Sequence, residues 1–322
     1  MRFIKFFVAV AALQAVTFAH AQNVSQDNEE VIVRPPAESD ADQVRSFVSE
    51  LTTPVGRGRI MPRWNGPLCL GVAGMQAEQA RVMNNRIGLV AHAVGVTVRE
   101  PECSPNVLIF FTENADGFAS QLAGRTSLVS GDGQSGNSLG GDALREFAET
   151  PRAVRWWHVS VTAADGFTAG RDRQSSAHRD QVQSAVDPNE QTEEAQERER
   201  DQQAAGAYTN SVRVRNMSRL RGGVTENLAR VIIVIDANKV RNVDVGALSD
   251  YVAMVTLAQI NASADVVSQP SILNLFSDSA EFRADRLTSW DAEYLEGLYR
   301  SAEDARSTRD QERQIVRSMM RN

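Results

Sequence analysis

Apolar residues recur along this chain at two spacings, and one long stretch has almost none. In "DADQVRSFVSELT", Val44, Phe47, Val48 and Leu51 lie three or four apart. That is the stripe by which a helix faces a core, and Ser39 or Asp40 can cap it. "MQAEQARVMNNRIGLVAHAVG" repeats the spacing, with Ala80, Met83, Ile87, Val90, Ala91 and Val94 on one face and Gly95 to stop it. Shorter apolar runs read as strands: one around Leu68 to Val72, then "VTVRE", then "NVLIFF", which is apolar enough to lie centrally in a sheet. "NADGFASQLAG" and "GGDALREFAE" read as short helices, and "AVRWWHVSVT" as a strand of alternating character.

From about Asp165 to Tyr208 the pattern stops. "TEEAQERERDQQ" holds no apolar residue larger than Ala, so it cannot bury enough surface to offset its ordering entropy. The reading is an exposed polar insertion at 165–208, disordered or helical. Order resumes with "SVRVRNM" and with "ARVIIVIDANKV", whose Val231 to Ile235 is the strongest strand of the chain. "VDVGALSDYVAMVTLAQI" is a helix apolar nearly all round, hence buried. Thr288 or Ser289 then caps a helix that turns Leu295 and Leu298 inward, and the charged last twenty residues read as a frayed helix or tail.

These elements divide the chain into a leader at 1–21, a mobile segment at 22–38, the two halves of one α+β domain at 39–164 and 209–300, and a charged helix or tail at 301–322. The fold class is α+β, a mixed β-sheet covered by helices and interrupted by the polar insertion.

The leader changes the compartment. Arg2 and Lys5 precede an apolar stretch from Phe6 to Phe18, and Ala19-His20-Ala21 offers a cleavage site after Ala21, the build of a secretory signal peptide. Periplasmic or secreted localisation follows, with no transmembrane anchor, because no later stretch approaches the roughly 20 apolar residues of a span. Losing Arg2 and Lys5 leaves 32 basic against 41 acidic residues, a net charge of about −9. An acidic chain is a poor binder of nucleic acid or of anionic membrane. Cys69 and Cys103 are the two cysteines. In an oxidising compartment a disulfide is the default reading, against a metal site that would need four ligands.

"SGDGQSGNSLGGD" carries the candidate chemistry. Gly131, Gly133 and Gly136 spell a dinucleotide fingerprint, but the strand before it and the helix within it are missing, so no cofactor is implied. Gly136 to Gly140 spell G-x-S-x-G, which would make Ser138 a nucleophile with His158 or His178 as base. The apolar strand that an elbow needs is absent, so the loop reads as a connector. His92 sits beside an apolar helix face and reads as structural. Alternation puts Trp156 and His158 on one face of their strand and Trp157 on the other. The three make a candidate binding groove for a peptide or another envelope protein, with core or edge packing as the other reading.

The layout also resembles that of exported zincin-type metallopeptidases. "PSILNLF" matches an S-I-[FL]-N turn through Ser271, Ile272, Leu273 and Asn274. Leu287, Thr288, Asp291, Leu295, Leu298 and Tyr299 match an L-T-x-x-D-x-x-x-L-x-x-L-Y helix. The resemblance implies that both pack behind a helix carrying the metal-binding His and Glu. Here that helix, "LSDYVAMVTLAQI", has neither; Thr256 and Gln259 stand at the corresponding polar positions. Without imidazole or carboxylate no zinc site forms. The expectation is a metal-free zincin-like scaffold used for binding or structure, with a divergent hydrolase built on Ser138 and His158 as the alternative.

Overall fold

The computed structural model describes residues 38–53, 60–125, 136–137, 139–164 and 224–321. The stretches read as a signal peptide at 1–21 and as a polar insertion at 165–208 therefore lie outside the described residues, as does the segment 22–38 except for Glu38.

The sheet grows from the strongest apolar run outward. Its strands are β1 (Leu70–Ala73), β2 (Val107–Thr112), β3 (Gly136–Asn137), β4 (Val154–Ala164) and β5 (Val224–Asp236). They lie in the order β1-β2-β5-β4-β3, of which β3 is a two-residue pairing at the edge. β1, β2 and β5 run parallel; β4 is antiparallel to β5. Central strands covered on both faces must be apolar throughout, and Val231 to Ile235 are completely buried.

Pleating sorts these residues between two cores. Val231, Ile233, Ile235, Ile109 and Trp156 face one, while Ile232, Val234 and Trp157 face the other. The larger core is covered by α1 (Glu38–Leu51), α2 (Ala77–Ala93), α5 (Val245–Leu257), α6 (Ser289–Arg300) and α7 (Thr308–Met319). The smaller one lies under α3 (Ala115–Ala123) and α4 (Gly141–Glu149). The result is α+β with a mixed sheet between two helical layers.

Capping marks where helices begin. Asp244 accepts from Gly246 and Ala247 N–H to open α5, and Thr288 and Asp291 form a reciprocal capping box on α6. From Ala247 to Leu257 every residue of α5 is buried, as its all-round apolarity predicts. α1 starts at Glu38, so Ser39 and Asp40 belong to its first turn and not to its cap.

One expected element differs, and another is more ordered than expected. "VTVRE" forms no strand. Val98 makes one bridge to Leu68, after which Pro101, which has no N–H to donate, ends the pairing. The chain there is instead held by the Cys69–Cys103 disulfide, with Cα atoms 6.0 Å apart. The C-terminal residues, read as a frayed helix or tail, form a packed helix. Ser307 caps α7, and Gln311, Ile315, Ser318 and Met319 form its buried face. Gln311 fixes it in place, accepting from Met61 N–H at 2.7 Å and donating to Met61 O at 3.3 Å. Among the described residues no helix is long and apolar enough to cross a membrane.

Candidate functional site

The last turn of a helix leaves carbonyls without intrahelical donors, and at the end of α5 three other segments supply them. His158 Nε2 of β4 donates to Val255 O at 2.7 Å, Trp64 Nε1 to Thr256 O at 2.8 Å, and the Tyr299 hydroxyl of α6 to Leu257 O at 2.9 Å. Just beyond, Trp156 Nε1 donates to Ile260 O at 3.0 Å and Thr53 Oγ1 to Gln259 O at 2.9 Å. Arg63 does the same for α6: its Nη1 donates to Leu298, Tyr299 and Ser301 carbonyls at 2.9–3.0 Å. The adjacent Arg63 and Trp64 thus close two helix ends at once.

This assigns His158 a role. The carbonyl facing Nε2 places the hydrogen there, and Nδ1 is buried with no partner among the described residues. Burial pushes the imidazole pKa down to about 4, against the opposing effect of the Val255 hydrogen bond. So weak a base, with its hydrogen already engaged, is poorly matched to general-base work near neutral pH.

Trp157 is buried on the opposite face, its ring 6.1 Å from that of Phe147. The strand lies where the alternation predicts, but all three candidate binding residues point into the interior and none offers an exposed surface. Tight packing on both sheet faces is the reason. Trp156 also lines a cleft.

Ser138, Gly131, Gly133 and His178 lie outside the described residues. Gly136 and Asn137 pair with Val161 and Ser160, and Gly140, at φ 94°, turns the chain into α4. His92 is exposed in the last turn of α2. Thr256 and Gln259 are buried, and among the described residues Thr256 Oγ1 and both Gln259 amide atoms have no hydrogen-bond partner. Among the described residues no group of three or more His, Cys, Asp or Glu side chains is placed to hold a metal ion.

One cleft of about 660 Å³ opens between the start of β4, the turn after β5, and the 3-10 helix Ile272–Phe276. The volume is that of a small-molecule site. Its floor is aromatic: Trp156 and Tyr251 rings lie 6.1 Å apart and Tyr251 and Phe276 rings 5.1 Å apart, both edge-on. Burial raises the Tyr251 pKa, so its phenol stays protonated, and its hydroxyl meets no hydrogen-bond partner among the described residues.

The rim carries Arg152, Lys239, Arg283 and Asp278. Arg152 pairs with Glu146 at 2.6 Å, and Lys239 Nζ stands 3.7 Å from Asp236. Arg283 Nε and Nη2 donate to Leu275 O at 3.3 and 3.2 Å, which aims the guanidinium without neutralising it. The segment bearing Phe276 and Arg283 is held by Asn274, whose amide donates to the Val266, Gln269 and Phe282 carbonyls.

Asp291 anchors the start of the 3-10 helix, accepting from Ser271 Oγ, Ile272 N–H, Thr288 N–H and Thr288 Oγ1 at 2.6–2.9 Å. Sequence reasoning missed the cleft. Its signals were an aromatic Tyr inside a largely aliphatic helix, and lone charges in loops that no periodicity marks. Compared with protein-family models, with curated proteins and with solved structures, the chain finds no match.

Proposed function

We propose that this chain is an exported, envelope-associated binding module on a metal-free zincin-like scaffold, and that the cleft floored by Trp156, Tyr251 and Phe276 is its binding site. The observation that carries the reading is that cleft: about 660 Å³, an aromatic floor, and charged side chains held at its rim. Two further points support it. The Ser271–Asn274 turn and the Leu287–Tyr299 segment, which bear the zincin-like motifs, both lie against α5; Asp291 bonds the turn to α6, and the Tyr299 hydroxyl bonds Leu257 O of α5. The disulfide is compatible with an oxidising compartment.

The opposing reading is a hydrolase using Ser138 and His158. Labelling of the purified protein with a fluorophosphonate probe, with Ser138→Ala as control, separates the two. The binding-module reading expects no labelling above that of the control. Labelling abolished by Ser138→Ala contradicts it and makes the glycine-rich loop a nucleophile elbow.

A further inference from the structure

The charges at the rim of the cleft are of two kinds. Arg152 and Lys239 each have a carboxylate of the protein nearby, Glu146 and Asp236. Among the described residues Arg283 and Asp278 have none: there Arg283 bonds only the Leu275 carbonyl through its side chain, and Asp278 makes no ion pair or hydrogen bond. Both are exposed, and both line the same cavity. One uncompensated cation and one uncompensated anion therefore flank an aromatic floor, in a chain whose net charge is −7.

Resting on the reading of the cleft as a binding site, we infer that its ligand is a small zwitterion with an aromatic or branched apolar body, of which a free aromatic amino acid is the simplest form. The carboxylate goes to Arg283, whose planar guanidinium keeps Nη1 free and matches a carboxylate end-on. The Tyr251 hydroxyl is an unused donor in the same cavity. The ammonium goes to Asp278. The apolar body packs edge-on against the floor of Trp156, Tyr251 and Phe276, the geometry these rings already adopt with one another. A purely anionic ligand would leave Asp278 facing it with like charge, and a purely cationic one would leave Arg283 so.

The test uses the full chain and four probes: phenylalanine, N-acetylphenylalanine, phenylalaninamide and the dipeptide Phe-Phe, followed through the indole and phenol resonances of Trp156 and Tyr251. Phenylalanine is expected to bind at least tenfold more tightly than either blocked derivative, because each loses one charge-assisted interaction. In Arg283→Gln the discrimination against the amide disappears while that against the acetyl form remains. In Asp278→Asn the reverse holds. Both side chains are exposed, so neither variant threatens the fold.

Phe-Phe separates its ammonium from its carboxylate by one more residue. Tighter binding of the dipeptide assigns the site to peptide ends, and tighter binding of phenylalanine to free amino acids; either supports the zwitterion. Equal binding of phenylalanine and its blocked forms at the cleft overturns the zwitterion and leaves the cleft reading standing. No shift of Trp156 or Tyr251 with any probe also overturns it. Serine-dependent labelling is what sinks the binding-module reading itself.

Discussion

Depressing the His158 pKa from 6.5 to about 4 ties the stability of the fold to pH. The unfolded chain takes up this proton near pH 6.5, whereas the folded chain refuses it until about pH 4. Between the two, the unfolded state binds more protons, so stability falls as pH falls through that window and this contribution is flat outside it. The span corresponds to roughly 3 kcal/mol. Urea unfolding at pH 7 and pH 4.5 should show the loss, and His158→Asn, which cannot titrate there, should remove most of the difference. Gln259 predicts the opposite kind of change. Its amide is buried with both polar atoms unpaired, so Gln259→Met should stabilise by about 1–2 kcal/mol. A loss of stability on that substitution would mean that the amide has a partner. Of these residue-scale features, His158 was visible as a lone imidazole on a strand. Its role was not legible, because a helix-end carbonyl 97 residues away carries no local mark.

At the scale of elements, helix ends hold this structure together. The side chains that close α5 and α6 come from the segment before β1, from β4 and from α6 itself. Arg63→Met should therefore cost about 2–4 kcal/mol, since it strips three carbonyls of one buried donor. A midpoint shift worth less than about 0.5 kcal/mol would contradict the capping account. Where pattern and burial agree, the sequence predicted elements well. The all-round apolarity of α5, the single-face stripe of α2 and the Thr288–Asp291 capping box all carry their own local signal. α7 was read only as a frayed helix or tail because Gln311 and Ser318 occupy half of its buried face, and polar residues hide a stripe until their partners, such as the Met61 backbone, are known. "VTVRE" was misread because β propensity says nothing about the proline and disulfide that follow.

At the scale of the whole molecule, one mixed sheet with helices on both sides was legible, since it needs only the count and order of apolar runs. The cleft was not: it gathers loop residues from Pro151 to Arg283 that no periodicity links. The disulfide closes a long loop, with its cysteines 34 residues apart. Its reduction should remove about 3–4 kcal/mol on the chain-entropy view, visible as a lower thermal midpoint in reductant and absent in Cys69→Ala/Cys103→Ala. The cleft carries the proposal that this scaffold binds, and the hydrolase reading that opposes it fails above all on His158 being a locked helix cap. The most direct measurement is therefore an NMR titration of the His158 imidazole, read through its two ring nitrogens. The account predicts a neutral ring with hydrogen on Nε2 that persists to near pH 4. A midpoint at or above 6.5, or hydrogen on Nδ1, would free the imidazole for catalysis and contradict it.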